Sequence, residues 1–254
     1  MLCLKRKSSS NFATMKQKMH IICLRSVRYS DSKSILSAYS LEAGRVSLLV
    51  GSGKGREAMR RRALTQPLGV LECVADVVPG RDIHRVAEMR PLHPLSALRA
   101  NPVKCGVAMF LAEVLGVILG ESQADEPMWR FVSAAVVRLD ALEPDKVANF
   151  HVCFLYRLGM VAGIAPDSAT FAPGKVFDLS DGRFRSAAPL HRDFLYSDEA
   201  EVAATLSRMT FDNMHLFRFT RAQRNRVTDL ILRYFTIHYA RLDSIKSLEV
   251  LRSL

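Results

Sequence analysis

The sequence predicts an α+β protein: a five-stranded β-barrel at the front, followed by a helical-bundle domain that carries a small β-hairpin. Three observations predict it. Between His20 and Met89, apolar and β-branched residues come in short runs of period two cut by Gly and Pro turns, the pattern of strands. From Val103 onward the apolar spacing lengthens to three and four residues, which lines one face of a helix. Charge divides at the same place. Residues 1–100 hold 18 Lys and Arg against 7 Asp and Glu, and residues 101–254 hold 18 of each, so the whole formal charge of +11 belongs to the front of the chain.

Residues 1–18 read as a disordered basic tail, with Met1, Met15 and Met19 as alternative starts. The barrel domain spans 19–90. Ile21–Tyr29 is its first strand. Ile35–Leu41 and Val46–Val50 flank the turn Glu42-Ala43-Gly44, a compact hairpin signal. In Val70–Val78, Leu71, Cys73, Ala75 and Val77 form one apolar face. Pro79-Gly80 turns the chain into a fifth strand, Ile83–Met89. Five short strands in this length suit a small closed barrel of the OB type, and an SH3-like barrel fits the same pattern. Residues 91–102, punctuated by Pro91, Pro94 and Pro102, read as an interdomain linker or loosely packed connector.

The helical domain spans 103–254. Val103–Gly120 is its first helix, Pro127 opens a second that reaches about Leu142, and Pro144-Asp145 opens a third that reaches about Ala162. The third is apolar nearly all round and belongs at the centre of the bundle. Residues 165–197 form an irregular subdomain, with a hairpin of Val176–Leu179 and Arg183–Ser186 around Asp181-Gly182. Asp198–Met209 is a short helix and Thr220–Arg241 a longer one.

Most catalytic chemistry is excluded. The cysteines Cys3, Cys23, Cys73, Cys105 and Cys153 are scattered and contain no CxxC pair, which argues against a disulfide framework or zinc ribbon and for a reducing, cytoplasmic setting. The histidines lack metal-site spacing. His191 with Asp178 and Asp193 is too sparse a set for a metal, His151 reads as a core histidine, and Glu113 reads as a hydrogen-bonded carboxylate in an apolar helix. The Gly51–Arg56 loop is not a Walker A motif, because Leu48 stands where the first glycine belongs and Gly55 follows Lys54. No catalytic residue, metal or cofactor is expected, so the chain reads as a non-enzyme; only an active site gathered from distant residues would escape this reading. The apolar run Val103–Gly120 carries Glu113 and is too short for a membrane span.

The basic front points to a polyanion, with solubility alone as the simpler use of such charge. The candidate phosphate contacts are Arg25, Arg28, Lys33, Arg45, Lys54, Arg56, Arg60, Arg61 and Arg62. The glycines of the 51–55 loop would let backbone and cations approach a phosphate chain closely. Tyr29 and Tyr39 serve either as stacking platforms for bases or as core residues. The electroneutral rear suits protein partners.

Several segments then resemble one family, the bacterial DNA repair protein RecO. They are the turn Glu42-Ala43-Gly44-Arg45, the Gly-rich basic stretch leading to Gln66-Pro67, Phe110–Leu115 (FLAEVL), Phe150–Gly159 (FHVCFLYRLG) and Ile245–Leu248 (IKSL), in matching order over about residues 19–251. The resemblance implies an N-terminal OB domain and a C-terminal helical domain. It also implies binding of single- and double-stranded DNA, annealing of complementary strands and loading of the recombinase RecA. The implied partners are RecR and the acidic C-terminal tail of single-stranded DNA-binding protein. That tail would dock at Phe150, Phe154, Arg157 and Leu158, residues that otherwise serve as core. Many members carry a four-cysteine zinc site, but residues 163–197 hold no cysteine, so no zinc is expected; either the hairpin around Asp181-Gly182 replaces the metal as a fold element or the subdomain is built differently. An RNA-binding or ribosome-associated OB protein is the alternative reading.

Overall fold

One long strand, β1 (Met15–Ser30), ties the front of the molecule together. The structure, a computed structural model, describes residues 15–239, 241–242 and 245–253. The first half of β1 pairs with β4 (Val70–Val77), and its second half pairs with β2 (Lys33–Ser40). A register shift between Cys23 and Arg25 marks the change of partner; such a bulge bends a strand enough to serve two neighbours. β3 (Gly44–Gly51) pairs with β2, and β5 (Ile83–Pro91) runs antiparallel to β4 and parallel to β3. The order β1-β2-β3-β5-β4 closes the OB-type barrel, and its five strands are those the period-two pattern predicts.

Alternation then sorts the side chains. Met19, Ile21, Cys23, Leu36, Ala38, Leu48, Leu71, Cys73 and Ala75 fill the barrel. Ile22, Leu24, Tyr39 and Val70 face outward and join the core of the helical part. The barrel therefore rests one wall on α3 (Pro102–Ile118), α4 (Glu126–Ala141) and α5 (Phe150–Val161), which supply most of that second core. Asn101 caps α3 and Asp125 caps α4 through their side-chain oxygens, with Pro102 and Pro127 in the first turns.

The structure corrects several boundaries. Met15–Lys18, read as tail, pair with β4 from Met15 opposite Val77 to Lys18 opposite Val74; residues 1–14 lie outside the described residues. The signal was hidden because this end of β1 exposes most of its side chains, so its strand rests on backbone pairing. The basic run after the glycine loop is a helix, α1 (Arg56–Leu64), which buries only Ala58 and Leu64. The supposed linker contains α2 (Ser96–Ala100), buries Leu95 and Leu98 and donates the Leu98 amide to Asp140 Oδ1 at 2.6 Å. The third helix starts at Phe150 rather than Pro144. Asn149 turns the chain there, and its Nδ2 donates to the carbonyls of Met214 (2.9 Å) and Phe217 (2.6 Å). A terminal helix, α8 (Ser247–Ser253), has no counterpart in the sequence expectation.

Phe150, Phe154 and Leu158, expected to receive a partner's tail, are core residues with at most 1% exposure. Arg157 is engaged as well, its Nε donating to the Met209 carbonyl at 3.0 Å and its Nη2 at 2.6 Å. The two phenylalanines and Leu158 therefore present no exposed face, and half-buried Arg157 spends its guanidinium on the Met209 carbonyl. His151 is also buried, but its Nδ1 has no hydrogen-bond partner among the described residues.

The Glu42–Gly44 turn fixes the barrel against the α3–α4 connection. Gly44 has φ +68°, and a Cβ there would lie 2.4 Å from Ser122 O and from Gln123 C. The next amide, Arg45 N, donates to Ser122 O at 3.0 Å. The backbone of the connection cannot retreat without losing that bond. Gly44→Ala is expected to destabilise the fold by about 2–3 kcal/mol, combining left-handed strain with a backbone clash. Chemical denaturation measures it, and an unchanged midpoint would show that this contact is slack.

In the irregular subdomain β6 (Val176–Asp178) pairs with β7 (Arg183–Arg185) as expected and also with β8 (Phe194–Leu195). Phe177, Leu179, Phe184 and Leu195 form its small core with Ala200 of α6 (Ser197–Leu206) and Tyr234 of α7 (Arg221–His238). Its polar hub is Asp178, which is only 2% exposed. Asp178 accepts from Ser180 N (3.0 Å), Asp181 N (3.3 Å) and Arg185 Nε (2.9 Å), and His191 Nε2 lies 3.4 Å away. Arg185 is half-exposed and also pairs with Asp181, so water and Asp181 would compensate part of a lost pair. Asp178→Ala is therefore expected to cost about 2–3 kcal/mol, below the usual loss for a wholly buried pair. A fall in melting temperature of roughly 4–12 °C would show it. A chelator should leave the wild-type transition unmoved; a shift with chelator would mean that a metal holds the hairpin instead.

Candidate nucleic-acid interface

Where the barrel meets the helices, the chain leaves an open groove of about 730 Å³. β1 contributes Arg25 and Arg28, β2 contributes Ser34 and β3 contributes Arg45. The end of α1 and the loop after it add Arg62, Thr65 and Gln66, and α3 forms the opposite wall with Met109, Glu113 and Gly116. The start of α8 closes one side with Lys246 and Ser247.

Local structure explains why these groups converge. Arg25 follows the β1 bulge, beyond which every side chain of the strand is exposed. Arg45 follows the Gly44 turn and is half-buried; its Nη1 donates to the Gly116 carbonyl at 3.3 Å, and burial pulls the guanidinium down from its usual range. Arg62 lies in the last turn of α1, where Gln66 Nε2 donates to the Arg62 carbonyl at 3.1 Å. Among the described residues Arg28 pairs only with the exposed Asp31, a contact of little energetic weight.

Five cations thus face Glu113, the single lining carboxylate among the described residues. Partial burial raises the pKa of Glu113, but hydrogen bonds from Ser247 and Lys246 and the nearby charge of Arg25 outweigh it and hold the group ionised below its usual range. Its charge is already committed to these donors. A groove of this kind attracts and orients a phosphodiester chain.

Four of the nine expected contacts, Arg25, Arg28, Arg45 and Arg62, come together here. The other five do not line the groove. Lys33, Lys54, Arg56 and Arg60 are exposed, and Arg61 is partly covered. Lys33 pairs with Gly51 at the foot of the loop that carries Lys54. Arg60 and Arg61 share Glu57, at 3.9 and 3.2 Å, so the triplet of arginines does not act as one unit. Tyr39 is buried, with its hydroxyl donating to the Gln123 carbonyl at 3.3 Å, whereas Tyr29 is 65% exposed.

Sequence reasoning missed Lys246, which belongs to the neutral rear half and looked unremarkable by charge. The IKSL segment that carries it was singled out only by resemblance, and it meets the FLAEVL segment through Glu113. Among the described residues, no group of three or more His, Cys, Asp or Glu could hold a metal ion. No helix among them is long and apolar enough to cross a membrane.

Comparison with known proteins gives a consistent result along the chain. The family model for the N-terminal part of Recombination protein O matches residues 15–95, and that for its C-terminal part matches residues 99–249. The DNA repair protein RecO of Phocaeicola vulgatus is 34% identical over 94% of this chain and 99% of its own length. That of Bacteroides fragilis is 32% identical over 94% and 99%. That of Porphyromonas gingivalis is 34% identical over 92% and 96%. With both family models matched in order and such relatives covered nearly end to end, the chain belongs to the Recombination protein O family, the RecO proteins of DNA repair and recombination.

Proposed function

We propose that the groove holds a DNA strand by its phosphates and that the protein is a non-catalytic recombination mediator of the cytoplasm. The observation that carries this reading is the convergence of Arg25, Arg28, Arg45, Arg62 and Lys246 on one groove in which the only carboxylate among the described residues, Glu113, is bonded to the Lys246–Ser247 backbone. The protein binds single- and double-stranded DNA and anneals complementary strands. Annealing follows from the same charges: two strands repel through their phosphates, and a cationic surface screens that repulsion while leaving base edges free to pair. Lys33, Lys54, Arg56, Arg60 and Arg61 extend the phosphate path over the adjoining barrel surface. The resemblance to the family supports a further step: the protein helps to load RecA onto DNA coated by single-stranded DNA-binding protein, with RecR and the acidic tail of that protein as partners.

Mixing complementary oligonucleotides tests the reading. Pairing should speed up when the protein is added and slow again as salt rises. No acceleration at any salt concentration would refute it. Competition with RNA of the same sequence separates the readings further, since preferential retention of RNA would favour the RNA-binding alternative.

A further inference from the structure

The groove is sealed by a contact between chain segments far apart in sequence. Glu113, on α3, accepts Lys246 N through Oε1 at 3.1 Å and Ser247 N through Oε2 at 2.8 Å, and the Ser247 hydroxyl also donates to Oε2. Ile245 and Leu251, on either side, are buried in the helical core. Lys246 itself is exposed and lines the groove together with Arg25, whose charge is felt by Glu113. All three hydrogen bonds reach the main chain or the serine, so none of them uses the Lys246 ammonium. The carboxylate holds the segment in place, and no described residue pairs with the Lys246 ammonium.

We infer that Glu113 is a positioning residue for nucleic-acid binding: it pins the Lys246–Ser247 backbone so that Lys246 completes the phosphate path begun by Arg25. The inference rests on the groove being that path. It gives Glu113 a role opposite to the one its charge suggests. A carboxylate acting only through space would repel phosphates, and neutralising it would tighten binding. A carboxylate that positions a cation weakens binding when neutralised.

Binding of a labelled single-stranded oligothymidylate, titrated at several salt concentrations, separates the two. Lys246→Ala removes one phosphate contact and keeps the Glu113 bonds. It should weaken binding roughly fourfold near 0.15 M salt and flatten the log–log salt slope by about 0.7. Glu113→Gln replaces one acceptor oxygen with a donor facing donors, and it should cause a similar loss and a similar flattening. The double variant should bind no more weakly than either single one, because both remove the same contact. Should Glu113→Gln fail to fold, Ser247→Ala, which removes one of the three bonds, should give a smaller loss of the same sign. Unchanged or tighter binding by Glu113→Gln, or fully additive losses in the double variant, would overturn the inference. If Arg25→Ala and Arg62→Ala leave binding intact, the groove reading itself fails. If those two weaken binding while Glu113→Gln and Lys246→Ala do not, only the positioning role falls.

Discussion

Replacing Arg25, Arg28 and Arg62 by Ala and Arg45 by Gln in one variant is expected to lower single-stranded DNA affinity on the order of a hundredfold near 0.15 M salt. The magnitude follows from counterion release. Each phosphate neutralised on a single strand contributes about 0.7 to the log–log salt slope, so losing four contacts should flatten it by about 3. The slope is the sharper readout, because a partly unfolded variant loses affinity without a defined change in slope. Gln at position 45 keeps a donor for the Gly116 carbonyl, which limits damage to the seam between barrel and helices. Arg28 gives up only an exposed pair with Asp31. Affinity and slope equal to wild type would remove these arginines from the binding surface.

Acid should destabilise the protein through His151. Its imidazole lies in the core, edge-on to Phe110, and burial, helped by the positive charge of Arg224, lowers its pKa from 6.5 to about 3. The unfolded chain takes up this proton as pH falls through its ordinary range, whereas the folded protein resists it. The stability contribution is complete above the unfolded pKa and is lost as pH falls toward the folded one. Between about pH 8 and about pH 4 this single group should remove roughly 3 kcal/mol. His151→Leu, which cannot titrate, should show a shallower decline over that window. Denaturant unfolding of both proteins across the range checks it, and parallel curves would mean that His151 does not titrate in the core.

The barrel was legible because its signals are local. Alternation in Val70–Val77 and the Glu42–Gly44 turn define a strand and a hairpin without reference to the rest of the chain. The helices of the rear half announced themselves through their apolar faces and, for α4, through Pro127, whereas Pro102, read as part of a linker, opens α3. What failed depended on distant partners. Met15–Lys18 form a strand only because β4 lies alongside, and their exposed side chains carry no burial pattern. α1 is too polar to register as amphipathic and buries only two side chains.

The site was half legible for the same reason. Charge density in sequence located the basic module but could not say which cations share a face. Arg62 reaches the groove while its neighbours Arg60 and Arg61 turn to Glu57. Lys246 arrives from the other end of the chain, carried by hydrogen bonds to Glu113 that no local pattern encodes. The apolar spacing that marked Phe150, Phe154 and Leu158 is that of a helix at the centre of its domain, and the structure buries them there.

Hydrogen–deuterium exchange with and without a single-stranded oligonucleotide tests the central claim most directly. The claim is that the cleft between barrel and helices is where the strand lies. Added DNA should slow exchange in the second half of β1, at the end of α1 and in the segment around Lys246, while the β6–β7 hairpin stays unchanged. Protection confined to that hairpin or to α6, with the cleft exchanging as before, would contradict it.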